Sequence, residues 1–297
     1  MFRKSLRISW SIALTGALWL STISISAQRL TTKSEVATAS SKSSPKLSTS
    51  NRQLDIPLRG HRLVLHCYLP AEIVADGPLV LYSSGSGGWH DFDQYLATTL
   101  AERGLPVFGV STHSYLKDFY NDEHPATFAA VAEDYLELIK QARKIAKVDE
   151  SRPVILAGWS LGAGYAPLVA SDPRIKPDVL GVIALSLSRD NETALTVSHR
   201  LMSRLMGRTY GPSFDVSQYL ARVAPVPVAI IQAAKDQKAS PGKAQQLIDG
   251  VSPGPSSTLR LFEVTAGRTH AFAGGWAEVD QTLDEVITWF RAPGRRS

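Results

Sequence analysis

Cysteine is almost absent from the 297-residue chain, which contains only Cys67. A single thiol cannot form an internal disulfide, and it cannot supply the paired cysteines of a redox motif or a zinc site. Cys67 stands in the alternating run Arg62–Leu69, so we interpret it as a strand residue without chemistry of its own. The sequence therefore predicts no thiol chemistry and no metal.

The main part of the chain also lacks an excess of basic charge, although the whole sequence has a pI of 9.3 and a net charge of +5. Residues 1–27 carry +3 and residues 28–52 carry +4, which leaves −2 for residues 53–297. Nucleic-acid-binding domains cluster Lys and Arg on one surface, so we expect no nucleic-acid partner. The basic N-terminal region is compatible with contact with an anionic membrane surface.

The N-terminal region has the order of a secretory signal peptide. A cationic stretch precedes the apolar run Ile8–Ile25, and Ser26-Ala27-Gln28 follows, so we expect cleavage near Ala27. An uncleaved membrane anchor is the alternative, because about 18 residues is near the lower limit for spanning a bilayer. Residues 28–52 are rich in Ser, Thr and Lys, and we expect a disordered tether there. We predict a periplasmic protein whose folded domain covers residues 53–297.

Strands and helices alternate along that domain. Short apolar runs predict buried strands, and runs with one apolar face predict helices. The predicted strands are Leu54–Leu58, Leu63–Leu69, Pro78–Ser83, Leu105–Val110, Val154–Ala157, Val179–Leu185, Val226–Gln232 and Leu259–Val264, and the predicted helices are Asp91–Arg103, Thr127–Lys147, Ser160–Ala170, Ala239–Asp249 and Val279–Phe290. This alternation predicts an α/β fold with a mostly parallel, doubly wound sheet, and the long connection at about 187–223 predicts a small cap insertion.

The pentapeptide Gly158-Trp159-Ser160-Leu161-Gly162 lies where a predicted strand runs directly into a predicted helix. This strand–turn–helix setting of Gly-x-Ser-x-Gly is the nucleophile elbow of α/β-hydrolases. The turn is strained, and the two glycines are needed because Cβ atoms there would collide with the neighbouring strand and helix. The sequence therefore predicts an α/β-hydrolase fold with Ser160 as the nucleophile.

A serine nucleophile needs a base and an acid, which in this fold follow it in the order acid, then histidine. Only His199 and His270 follow Ser160, and His270 comes directly after the last predicted strand, whereas His199 lies in the predicted cap. Asp236 follows the strand before that one, so we predict Asp236 and His270 as acid and base. Asp190 is the alternative acid.

The glycine-rich loop Gly85-Ser86-Gly87-Gly88 follows the predicted strand Pro78–Ser83. A tetrahedral intermediate needs two preorganised donors, and we predict the backbone N–H groups of Ser86 and Leu161. The loop lacks the third glycine of a dinucleotide fingerprint, so we expect no cofactor.

Two tryptophans and several carboxylates are candidates for contact with a substrate. Trp89 and Trp159 adjoin the glycine-rich loop and the serine. We expect residues 111–124 to form an aromatic and acidic loop at the same sheet edge. Its Asp118, Asp122 and Glu123 could receive a cationic group, although a solvated surface loop is the simpler interpretation.

Three stretches resemble the VirJ/AcvB family of bacterial virulence proteins: Ser84–Trp89, which matches a Ser-Gly-x-Gly-Gly-Trp segment, Leu100–Val107, and the elbow Gly158–Ala163. The resemblance covers about residues 78 to 190. It implies a periplasmic α/β-hydrolase with Ser160, Asp236 and His270 as the triad, linked to type IV secretion and to hydrolysis of lysyl-phosphatidylglycerol. The family often has Asp where this chain has Ser86 and Gly164.

These observations predict an exported serine hydrolase that cleaves a small-molecule or lipid carboxylic ester, such as lysyl-phosphatidylglycerol. Two alternatives stay open. One is a non-catalytic periplasmic interaction protein on the same fold, associated with virulence or secretion. The other is a peptidase or a dienelactone-type hydrolase, which would use the same machinery on a different acyl group.

Overall fold

The structure, a computed structural model, describes residues 48–121, 123–195, 201–202, 205–206, 211–251 and 258–292. Within these residues, ten strands are β1 (Thr49–Leu58), β2 (His61–Pro70), β3 (Leu79–Ser83), β4 (Val107–Val110), β5 (Val154–Trp159), β6 (Val179–Leu185), β7 (Asp190–Glu192), β8 (Ser213–Asp215), β9 (Val228–Ala233) and β10 (Leu259–Val264). The α-helices whose full bounds lie within the described residues are α1 (Asp91–Ala101), α2 (Thr112–Phe119), α3 (Phe128–Ala146), α4 (Leu161–Ala170), α5 (Ser217–Arg222), α6 (Pro241–Val251) and α7 (Trp276–Phe290), and residues 201–202 and 205–206 are also helical.

Eight of the described strands form one sheet in the order β1-β2-β4-β3-β5-β6-β9-β10. Strand β2 is antiparallel to β1 and β4, whereas all the other neighbours are parallel. The predicted mostly parallel, doubly wound sheet is therefore confirmed. Because parallel strands point the same way, the carboxyl ends of β3, β5, β6, β9 and β10 meet at one edge, which we call the carboxyl edge.

Helices cover both faces of the sheet. Alternate residues of β3 point to opposite sides, so Leu79 and Leu81 belong to one apolar cluster while Val80 and Tyr82 belong to the other. Helices α2 to α6 cover the first cluster, and α1 and α7 cover the second. The parallel strands buried between these layers are almost continuously apolar, as expected for strands covered on both faces.

Two segments differ from the sequence-based expectation. Strand β1 begins at Thr49, inside the segment predicted as a tether, and pairs with β2 from Thr49 opposite Pro70 onwards. Its first residues are polar and largely exposed at the sheet edge, and backbone pairing there needs no apolar side chains. The expected loop after β4 contains a helix, α2, whose Tyr115 and Leu116 are buried while most of its other side chains are polar.

The insertion between β6 and β9 is described in part. Strands β7 and β8 pair antiparallel as a separate two-stranded sheet, and α5 follows β8. The predicted cap bounds of about 187–223 stay a prediction, because 196–200, 203–204 and 207–210 lie outside the described residues. The predicted signal peptide, 1–27, and the predicted tether up to residue 47 also lie outside them.

Candidate active site

Ser160 stands between the end of β5 and the start of α4, with φ of +56° and ψ of −115°. A non-glycine residue at such angles is strained, and the surrounding contacts must hold it there. A Cβ on Gly158 would collide with the backbone of Gly162, and a Cβ on Gly162 would collide with the backbone of Ser83 and Ser84. The two glycines therefore allow the close approach of β5, α4 and the end of β3 that the elbow requires.

Three side chains from three strand ends form one line of hydrogen bonds at the carboxyl edge. The Nε2 atom of His270 is 2.8 Å from Ser160 Oγ, and its Nδ1 atom is 2.6 Å from Asp236 Oδ2. Asp236 follows β9, and His270 follows β10, as expected from the chain order. The alternative acid, Asp190, is exposed in β7, and His199 lies outside the described residues.

Asp236 is held as a carboxylate in a buried position, with only 3% of its side chain exposed. Burial by itself raises the pKa of this carboxyl. The hydrogen bond and charge of His270, together with the backbone N–H groups of Lys238 and Ala239, outweigh that effect and lower the pKa below its usual value. An ionised Asp236 accepts a hydrogen bond from the Nδ1–H group of His270, so Nε2 carries no proton and can accept the proton of Ser160.

The loop that carries His270 is fixed through its backbone. The carbonyl oxygen of His270 accepts hydrogen bonds from Trp159 Nε1 and from Ser186 Oγ, each at 2.8 Å. Ser186 follows the end of β6 and is completely buried. From the sequence alone, Trp159 is predicted only as a substrate contact. Ser186 is not predicted to have a role, and its one sequence signal is its place directly after a buried strand.

The glycine-rich loop lies against the elbow. A Cβ on Gly85 would approach the Trp159 ring to 3.1 Å and Ser160 Cβ to 3.4 Å, so the loop passes directly over the serine. The carbonyl oxygen of the next residue, Ser86, is 2.9 Å from Nδ1 of His113 at the start of α2. Leu161 is the first residue of α4, where backbone N–H groups have no partner within the helix. The donor roles of Ser86 and Leu161 stay predictions.

The predicted substrate contacts have different surroundings. Trp89 packs on β2 to β4, with its ring stacked on His66 at 4.1 Å and placed over Gly109. Trp159 is beside the histidine, with ring centroids 5.8 Å apart. Asp118 is exposed on α2, about 9 Å along the helix from Thr112, and Asp122 lies outside the described residues.

The two positions where the family often has Asp are neutral here. Ser86 is in the glycine-rich loop, and Gly164 is in the first turn of α4. A Cβ on Gly164 would collide with the side chain of Asn191, whose amide donates to the Ser188 carbonyl oxygen at 3.1 Å. The space next to Gly164 is therefore occupied by a neutral amide from β7.

The described residues contain neither a metal-binding cluster nor a membrane-spanning helix. No three His, Cys, Asp or Glu side chains in the described part of the chain are grouped so that they could hold a metal ion. Across the same residues, no helix is long and apolar enough to cross a membrane.

The sheet order, the two helix layers and the serine at a strand–turn–helix elbow define an α/β-hydrolase fold. Solved structures agree: Est1E from Butyrivibrio proteoclasticus is 16% identical with a TM-score of 0.57, covering 80% of this chain and 98% of its own. Dienelactone hydrolase from Anabaena variabilis ATCC 29413 is 15% identical with a TM-score of 0.57, covering 81% and 98%.

The sequence matches the family described as bacterial virulence protein (VirJ) over residues 77–253, which is more than half of the chain. The chain therefore belongs to this family, and the family indicated by the sequence motifs is confirmed. No curated protein matches the sequence.

Proposed function

We propose that the protein is an exported serine hydrolase that cleaves a carboxylic ester. The observation that carries this proposal is the hydrogen-bonded line from Asp236 through His270 to Ser160, with the serine at a strained elbow. A serine hydroxyl is a weak nucleophile unless a base takes its proton, and this line supplies that base and its orienting acid.

The geometry supports acyl transfer in two steps. Ser160 Oγ attacks the ester carbonyl carbon while its proton passes to His270 Nε2, and Asp236 stabilises the imidazolium. The N–H groups of Leu161 and Ser86 are the proposed donors to the oxyanion. The tetrahedral intermediate then collapses, the leaving alcohol takes the proton from His270, and an acyl ester remains on Ser160.

Water completes the cycle. His270 takes a proton from a water molecule, the resulting hydroxide attacks the acyl carbon, and the proton returns to Ser160 Oγ as the acid leaves. Each proton that leaves the serine or the water is held by one nitrogen, Nε2. No group outside the three side chains and the two backbone donors is needed for this chemistry.

The finer substrate proposal is an aminoacylated phospholipid such as lysyl-phosphatidylglycerol. Family membership supports it, because this activity is what the resemblance to VirJ/AcvB proteins implies. Asp118, exposed on α2, is the proposed partner for the cationic group of the substrate. The neutral pair Gly164 and Asn191 supplies no second carboxylate beside the serine.

Labelling of Ser160 tests the proposed chemistry. We expect a fluorophosphonate to modify the parent chain and short-chain acyl esters to be hydrolysed. Ser160→Ala removes the nucleophile, so labelling disappears and kcat falls by about 10⁴-fold or more. The matched control is Ser151→Ala, an exposed serine in the turn before β5, which leaves both measurements unchanged.

Two results would contradict the proposal. Labelling and turnover that persist in Ser160→Ala would place the nucleophile elsewhere. A parent chain that neither reacts with the probe nor hydrolyses any acyl ester would favour the non-catalytic interaction protein.

A further inference from the structure

Three large apolar side chains of the cap insertion are exposed. Leu201, Leu205 and Met206 are in helical positions and have 57%, 70% and 54% of their surface exposed. Among the other described residues, the exposed large apolar side chains are Val64 and Val74, with 39% and 38% of their surface exposed. Leu201 and Leu205 are four residues apart in the sequence, which is the spacing of neighbours on one side of a helix.

The charge of the surrounding sequence has one sign. Residues 193–214 contain three arginines, at positions 200, 204 and 208, and no Asp or Glu. The domain as a whole carries −2, so this stretch departs from its surroundings. An apolar surface for another protein needs no such bias, whereas basic residues among exposed Leu and Met are typical of segments that lie on anionic lipid.

Both ends of the insertion stand beside the elbow helix. Asn191 in β7 packs against Gly164 of α4, and Phe214 in β8 packs against Tyr165 of α4 with ring centroids 5.4 Å apart. Helix α4 begins directly after Ser160. The insertion therefore leaves the sheet at the carboxyl end of β6, and its strands β7 and β8 lie beside the start of α4, close to the half-buried Ser160, before the chain continues to the amino end of β9.

We propose that Leu201, Leu205 and Met206 dock the protein on an anionic phospholipid surface. The apolar side chains enter the boundary between headgroups and acyl chains, and the arginine-rich sequence supplies attraction to the lipid phosphates. Strands β7 and β8 of the insertion lie beside the start of α4, so docking through the insertion brings Ser160 to the ester bonds of that surface. This inference deepens the proposed function. The docking itself is independent of hydrolysis, and only its role in bringing lipid to Ser160 rests on the proposed function.

A fluorescent probe at position 206 tests the docking directly. Met206→Cys is labelled with the environment-sensitive dye NBD in full-length chain that carries Ser160→Ala, so no lipid is hydrolysed. Cys67 is buried, and burial raises the pKa of its thiol to about 11, so it does not compete for the dye. The probe reports its own surroundings, so membrane contact through the N-terminal region gives no signal at 206.

The matched control is Val74→Cys labelled in the same background. Val74 is exposed, and its N–H bonds to the carbonyl oxygen of Gly104 before β4, at the opposite edge of the sheet. With phosphatidylglycerol vesicles, we expect a blue shift and brighter emission at 206 and no change at 74. With phosphatidylcholine vesicles, neither label changes. Adding Leu201→Ser and Leu205→Ser raises the phosphatidylglycerol concentration for half the signal at 206 about tenfold.

Three results would overturn the docking proposal. They are an unchanged probe at 206 with phosphatidylglycerol, equal shifts at 206 and 74, and a shift at 206 that appears without vesicles as protein concentration rises, which would identify a second copy as the occupant. The parent chain with intact Ser160 is labelled with fluorophosphonate in parallel. Reaction there with an unchanged probe would overturn docking while leaving the hydrolase proposal standing.

Discussion

At the scale of single residues, the backbone carbonyl oxygen of His270 connects the loop that carries this histidine to the sheet. Ser186 and Trp159 both donate to this one oxygen from the ends of neighbouring strands. Ser186→Ala removes one donor, worth about 0.5–1.5 kcal/mol for a typical hydrogen bond. We expect kcat to fall about threefold to tenfold with KM nearly unchanged, because the loop loses its alignment rather than its contact with substrate.

Ser171→Ala is the control for this change. Ser171 is also buried and also donates to a backbone carbonyl oxygen, that of Leu168, but at the far end of α4. We expect Ser171→Ala to lower the midpoint of thermal unfolding by about as much as Ser186→Ala does, and to leave kcat unchanged. If Ser186→Ala lowered stability without lowering kcat, Ser186 would be a structural residue only.

At the scale of elements, β2 carries a buried histidine whose protonation opposes folding. His66 is stacked on Trp89 with an interplanar angle of 5°, and burial lowers the pKa of its ring to about 4. In the unfolded chain this pKa is near 6.5, so between about pH 6.5 and pH 4 the unfolded state binds a proton that the folded state does not. The free energy of unfolding therefore falls as pH drops through that window.

Replacing His66 with Phe isolates this effect. His66→Phe keeps an aromatic ring on Trp89 and removes the titrating group. We expect the variant to gain about 1–3 kcal/mol relative to the parent between pH 7 and pH 4, measured by urea unfolding at each pH. Nearby Asp93, whose pKa is raised by burial to about 6, is present in both chains, so its effect cancels in the difference. Parallel stability curves across this range would contradict the assignment.

Much of the order of strands and helices could be predicted from the sequence, because apolar runs and chain order are local signals. They placed β6 and β10 at their observed bounds, and they placed Ser160, Asp236 and His270 after the strands that are observed as β5, β9 and β10. Helix α2 was missed because only part of one face is apolar. Ser186 was missed because its partner is 84 residues away and the bond depends on the tertiary structure.

At the scale of the whole molecule, the net charge of the N-terminal region differs in sign from that of the domain that holds the serine site. The proposed signal peptide carries +3, the following 25 residues carry +4, and the domain with the serine site carries −2. A basic segment ahead of a nearly neutral domain suits the proposed role of an enzyme that stays close to an anionic membrane. If the proposed substrate is correct, export decides whether the serine site meets the lipid.

Complementation in cells tests export and substrate together. We expect cells that lack the protein to accumulate lysyl-phosphatidylglycerol, measured by lipid mass spectrometry, and the full chain to restore the normal level. Full chain with Ser160→Ala is the control for catalysis, and it leaves the lipid high. A chain without residues 2–27 keeps the serine site but loses the proposed export signal, so it also leaves the lipid high. Equal restoration by this shortened chain would contradict export as a requirement, and unchanged lipid in the deletion would contradict the substrate.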